Sequence, residues 1–200
     1  MPRPKLRSDD EILDAAVAVL RDRGPLAFTL SDVAAAVGLS RAALIQRFTN
    51  RDTLLVRMMR RSIAQARVHL DAIPIGPGPQ GLWTFLQSLL RSMNTRYDFS
   101  VNFLITWYEL QVPELRALAR QRTRAVIAEL DRRLPGDAPA GAAPLLHAVI
   151  AGAATQWTTE PRGTLADYVL AQLAATLRLM FPSHPTPFAL PRRRRPAPRR

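Results

Sequence analysis

The stretch TLSDVAAAVGLSRAALIQRF, residues 29–48, decides how this chain is read. Leu30, Val33, Ala34 and Val37 recur at i, i+3, i+4 and i+7, the spacing of one buried helix face, and Leu44 and Phe48, four apart, mark a second. Between them Gly38 supplies a corner that demands positive φ, because a residue without Cβ meets no clash there. Leu39 offers an apolar side chain to tie the two helices together, and Ser40 opens the second as its cap. The outer face of the second helix is then Arg41, Ala42, Ala43, Ile45, Gln46 and Arg47. Small residues permit close approach, arginine reads guanine or phosphate, and glutamine pairs with adenine, so such a face suits the major groove of a DNA duplex. A bare helix-glycine-helix pattern also occurs in ordinary bundles, and its neighbours must separate the two readings.

Upstream, Ser8 to Gly24 reads as a third helix. Ser8 is its N-cap, Glu11 stands at the capping-box position, Ile12, Ala16, Val19 and Leu20 form the apolar stripe, and Gly24-Pro25 stops it. Three helices in fewer than ~60 residues close one small core, the usual support of a helix-turn-helix. Thr29 with Asp32 reads as a second capping box, which leaves free N–H groups where a phosphate is welcome. Downstream, Asn50 caps a long helix through Leu55, Met58, Ile63, Ala66 and Leu70, ending before Pro74.

ILDAAVAVLRDRG followed by TLSDVAAAVGLSRAALIQRFTNRDTLL resembles the N-terminal domain of the TetR-type transcriptional repressors, with motif order and spacing intact from Ser8 to about Met58. That family commonly carries a tyrosine where Ile45 stands and a lysine where Arg51 stands. Arg51 keeps the positive charge, whereas Ile45 loses a hydroxyl donor and can touch a thymine methyl instead. The resemblance implies a duplex with a palindromic operator as partner, with Thr29, Ser40 and Arg51 on phosphates and Gln46 and Arg41 or Arg47 on base edges. It also implies a homodimer paired through the last two helices, and a cavity in the helical body for a small effector.

The body carries the same periodicity. Leu82, Phe85, Leu86, Leu89, Leu90 and Met93 form one stripe, Phe99, Phe103, Leu104 and Trp107 another, and Pro113 opens a long helix containing Leu115, Leu118, Val126 and Leu130. Strand alternation is absent from the pattern, so the fold class expected is all-α: a three-helix DNA-binding domain and a helical-bundle ligand-binding and dimerisation domain, about nine helices in total. The boundaries expected are 1–50, 51–181 including the connecting helix, and 182–200 as a disordered basic tail. Phe85, Leu89, Met93, Phe103, Trp107, Val126 and His147 are the candidate ligand contacts, since rigid aromatic walls with few polar handles suit an apolar or aromatic molecule. Ala148, Ala151, Gly152 and Thr155, with Tyr168, Leu173 and Leu177, are the candidate dimer surface. All of these apolar positions also suit plain core packing.

The 200 residues contain no cysteine, which removes disulfide, thiolate-metal and thiol-nucleophile chemistry together. His69, His147 and His184 lie on separate segments, without a zinc-protease, nucleophile-elbow or phosphate-loop motif, so neither a catalytic nor a metal site nor a cofactor is expected. MPRPKLRSDDE lacks the apolar core of a signal peptide and no segment approaches ~18 apolar residues, so a cytoplasmic protein without a membrane partner is expected. Net charge is +12, which favours a polyanionic partner, and the last nineteen residues hold six of the arginines with no acid. The tail is read either as a solvated end or as a sequence-independent electrostatic arm for DNA. Besides the ligand-responsive repressor, two alternatives remain open: a constitutive DNA-binding protein without an effector, and a helical small-molecule-binding protein whose helix-turn-helix is degenerate.

Overall fold

The computed structural model describes residues 7–94, 99–184 and 188, with the side chains of 92–94 and 99–104 left aside. Among the described residues it is all-α, with nine helices: α1 Asp9–Ala27, α2 Leu30–Val37, α3 Arg41–Phe48, α4 Arg51–Asp71, α5 Gly78–Asn94, α6 Phe99–Gln111, α7 Pro113–Asp131, α8 Ala142–Thr159 and α9 Leu165–Met180. Contacts divide the chain into two compact units, one of 1–73 with 97–126 and one of 74–96 with 127–200. The connecting helix α4 and all of α6 thus belong with the N-terminal helices, while α7 contributes its first fourteen residues to one unit and its end to the other.

In the first unit the signals of the sequence act where they were expected. Ser8 and Glu11 form a reciprocal capping box at the start of α1. Gly24 takes φ 71° and ψ 166° and breaks the helix, after which Pro25 to Ala27 add one more turn. Gly38 is left-handed at φ 67°, ψ 33°, and this lets the Leu39 N–H reach back to the Ala34 carbonyl at 2.9 Å, closing the end of α2. The side chain of Asn50 accepts the Thr53 N–H at 2.8 Å and starts α4. Ile12 and Ala16 of α1, Val33 of α2, Leu44 and Phe48 of α3 and Leu54 of α4 are sealed from solvent in one core, which Leu115 of α7 joins. Each large side chain so buried contributes ~1.5 to 3 kcal/mol.

In the second unit α9 packs against both α8 and α5. Leu173 and Leu177 of α9, Leu146 of α8 and Leu82, Phe85 and Leu86 of α5 make its centre. The first turn of α5 requires glycine at 81, because a Cβ there would meet the carbonyl oxygen of Gly76, in the segment before the helix, at 2.2 Å. The last nineteen residues were expected to add nothing to a core. Phe188 departs from this: it is fully buried, its ring edge-on to Trp83 at 6.1 Å and tilted against Phe181 at 6.3 Å. Its carbonyl accepts a hydrogen bond from Arg178 at 3.3 Å. No helix among the described residues is long and apolar enough to cross a membrane.

Candidate nucleic-acid interface

Helix α3 is fixed from below and open above. Leu44 and Phe48 are fully buried, whereas Arg41, Ala42 and Gln46 are exposed, Ile45 is 38% exposed and Ala43 is half-buried between the two faces. Ser40 Oγ accepts the Ala43 N–H at 3.1 Å, which leaves the other N–H groups of that first turn for an outside acceptor. Thr29 caps α2 through the Asp32 N–H at 3.2 Å. The anticipated reciprocal box forms only in part, since the Asp32 carboxylate accepts the Thr29 hydroxyl at 2.6 Å and pairs with Arg23 at 3.0 Å instead of returning to the backbone.

Two of the expected contacts are cations with other employment. Arg47 donates to the Arg7 carbonyl at 2.6 Å and stands 3.6 Å from the Asp9 carboxylate, with only 18% of its side chain exposed. It ties α3 to the start of α1, so of the two arginines offered as base readers Arg41 is the one presented to solvent. Arg51 donates to the Pro25 carbonyl and lies over the Tyr108 ring, 4.8 Å from its centroid. Its Nε is buried without a hydrogen bond. Tyr108 in turn donates its hydroxyl to Asp52 at 2.6 Å, and burial together with that bond pushes the phenol pKa up. The step from Phe48 to Asn50 is a γ-turn: Thr49 takes φ 63°, ψ −59°, and the Asn50 N–H reaches the Phe48 carbonyl at 2.6 Å.

The candidate ligand contacts do not form one described set. Phe85, Leu89 and His147 belong to the second unit, with Phe85 fully buried and the other two partly so. Trp107 and Val126 belong to the first, and Trp107 is 49% exposed. The side chains of Met93 and Phe103 lie outside the described residues. Two charge pairs, each with one buried member, were not anticipated. Glu109, 2% exposed, takes two hydrogen bonds of 2.8 Å from Arg122, linking α6 to α7 within the first unit. Arg133, equally buried, pairs with Glu129 and lies 4.2 Å from the centroid of the Phe85 ring. Burial raises the Glu129 carboxyl, but its bonds to Arg133 and Arg132 outweigh that and hold its pKa below the usual range. The i,i+4 spacing of Glu129 and Arg133 was visible in the sequence; Glu109 and Arg122, thirteen apart across Pro113, gave no local signal.

The candidate dimer surface divides. Ala148, Ala151, Gly152 and Thr155 are exposed on α8 and Tyr168 is half-buried on α9. Leu173 and Leu177 are instead fully buried inside the unit, because α9 turns them toward α5 and α8 and presents Gln172, Ala175 and Leu179 outward, the last 84% exposed. Among the described residues there is no group of three or more histidine, aspartate or glutamate side chains placed to hold a metal ion.

Residues 12–58 match the family model of bacterial regulatory proteins, tetR family. No curated protein matches the chain. Among solved structures, a transcriptional regulator from Rhodococcus sp. Rha1 superposes with a TM-score of 0.75 at 20% identity, over 88% of this chain and 97% of that one. SmeT, the repressor of the Stenotrophomonas maltophilia multidrug efflux pump SmeDEF, gives 0.63 at 21%, over 86% and 90%. The transcriptional regulator FadR from Bacillus subtilis, in complex with stearoyl-CoA, gives 0.63 at 15%, over 86% and 98%.

Proposed function

We propose that this chain, whose residues 12–58 match the model of bacterial regulatory proteins of the tetR family, is a homodimeric repressor of a palindromic operator, released when a small apolar or aromatic molecule binds its helical body. The observation that carries the reading is α3 itself: an exposed face of Arg41, Ala42, Ile45 and Gln46 on a helix whose Leu44 and Phe48 are sealed in a core. A core-fixed helix with such a face reads bases, and Thr29 and Ser40 at two helix starts position the phosphates. Arg51 reaches a phosphate only by leaving Pro25 and Tyr108.

One α3 covers too few base pairs for specificity, and two set about 34 to 36 Å apart across a palindrome supply it. Leu145, Ala148, Gly152 and Thr155 on α8, and Gln172, Ala175 and Leu179 on α9, each follow three- and four-residue steps on exposed faces. Small residues permit close helix approach, and Leu145 and Leu179 supply apolar area to cover. For the effector, FadR of this fold holds stearoyl-CoA, and the aromatic content of α5 and α6 supports an apolar ligand here. Such a ligand releases DNA by preferring the conformation whose reading helices fit the operator worse.

Selection of bound duplexes from a randomised pool tests the reading. A palindromic consensus is expected, lost in an Arg41→Ala/Gln46→Ala variant that remains folded. Recovery of no consensus from the intact chain would remove the repressor reading, and a failure of every apolar compound to shift melting and free the consensus duplex would remove the effector from it.

A further inference from the structure

We propose that Tyr108 of α6 is a positioning residue for the DNA backbone contact of Arg51, a latch that withholds the Arg51 guanidinium from a phosphate while its ring and hydroxyl stay seated on the start of α4. The inference rests on the DNA-binding reading and deepens it: base reading belongs to α3, whereas part of the sequence-independent affinity is set from α6. Helices α3, α4 and α6 all lie in the first unit. Arg51 donates to the Pro25 carbonyl, and its guanidinium stands 4.8 Å from the centroid of the Tyr108 ring. The Tyr108 hydroxyl donates to Asp52 at 2.6 Å. Ring and hydroxyl thus grip two consecutive residues in the first turn of α4.

The chemistry around the guanidinium marks a withheld contact rather than a structural ion pair. Arg23, Arg47, Arg57 and Arg61, which tie α1 to α4 together, each stand 3.0 to 3.6 Å from a carboxylate. Arg51 makes no ion pair among the described residues and is held by two neutral groups, a carbonyl and a ring. Its Nε is buried with no acceptor, a cost that the closed position carries and an open one relieves. A cation in the first turn of a helix also sits at the end of the dipole that prefers an anion, so a phosphate beside it is favoured on both counts. The hold on Arg51 is governed by α6. Glu109, next to Tyr108, is buried and takes two hydrogen bonds of 2.8 Å from Arg122 of α7, whose Nη1 also reaches the Met59 sulfur of α4 at 3.2 Å. With Glu109 so tethered, α6 cannot roll Tyr108 off Arg51 without leaving a buried carboxylate unpaired, and the latch stays shut until α6 and α7 shift together.

The test is the affinity for a random-sequence duplex, and its salt dependence, in the full chain, in Tyr108→Leu, in Tyr108→Phe and in each of these with Arg51→Gln. Tyr108→Leu removes both ring face and hydroxyl. It is expected to tighten binding several-fold at low salt and to steepen the slope of log K against log salt by about 0.9 per chain, the share of one phosphate. The gain should therefore shrink about threefold per chain between about 50 and 200 mM salt. Tyr108→Phe keeps the ring and loses only the bond to Asp52, so a smaller gain of the same sign is expected, and this variant decides the matter if the leucine variant does not fold. In the Arg51→Gln background neither substitution should change affinity or slope, a result that mere loosening of the α6 packing would not produce. Unchanged or weaker binding in the folded Tyr108 variants, or a gain that persists without Arg51, would overturn the latch while leaving the reading helix and its consensus duplex untouched. Absence of duplex binding at low salt by the intact chain and by both Tyr108 variants would overturn the DNA-binding reading, and the latch with it.

Discussion

Helices α3 and α9 carry similar apolar stripes in the sequence, yet only one of them can be oriented from it. In α3 the apolar residues are few, Leu44 and Phe48 are four apart, and everything between them is polar or small apart from Ile45; the buried face follows from the spacing. In α9 apolar residues occupy eleven of sixteen positions, so a stripe through Leu173 and Leu177 and another through Ala175 and Leu179 satisfy helical period equally well. The structure buries the first and exposes the second. Periodicity fixes orientation only where polar residues mark the other side.

The largest effects that probe this contrast are core truncations. Phe48→Ala is expected to cost ~3 to 5 kcal/mol and Leu177→Ala ~2 to 5 kcal/mol, whereas Leu179→Ser should stay within ~0.5 kcal/mol of the parent in unfolding of the separated chain. Sedimentation of the same Leu179→Ser protein should show a weakened dimer. If denaturant titration gave Leu179→Ser a cost as large as that of Leu177→Ala, the orientation of α9 described here would be reversed.

Within α3 the comparison sharpens to two arginines. Arg41 is exposed at the first turn, and Arg47 is bound to the Arg7 carbonyl and faces Asp9. Arg41→Ala should cost ~1 to 3 kcal/mol of operator affinity and relax specificity at one base pair, with melting unchanged. Arg47→Ala should lower the melting temperature and leave base preference intact. The opposite pairing of effects, read by melting curves and binding to single-base operator variants, would make Arg47 the reader and Arg41 the strut.

Much of the first unit was legible because its determinants are local. Ser8, Thr29, Ser40 and Asn50 all cap the helices they precede, and Gly38 has the positive φ its corner needs. These are contacts within four residues, and residue type alone selects them. The employment of Arg47 and Arg51 was hidden, because the Arg7 carbonyl, Pro25 and Tyr108 are brought to them only by the packing of α1 and α6. Phe188 was hidden for a related reason: prolines and arginines around it read as a chain end, and no local pattern announces that Trp83, more than a hundred residues away, leaves an edge for it.

The smallest effect concerns the step between the reading helix and α4, where the sequence gives a threonine to a conformation that suits glycine. Thr49 at φ 63°, ψ −59° occupies the strained form of the γ-turn, and a β-branched side chain makes that form harder still. Such a residue stores of the order of 1 to 3 kcal/mol, and glycine relieves it while losing ~0.5 to 1 kcal/mol to the greater freedom of its unfolded chain. Thr49→Gly is therefore expected to stabilise the first unit by about 1 kcal/mol, and Thr49→Ala by less, because alanine keeps its Cβ. Unlike every other substitution above, this one should raise the melting temperature. A lowered value for Thr49→Gly would mean that Thr49 is held there by contacts worth more than the strain, and the turn would join the caps as a stabilising feature of the α3 side of the comparison.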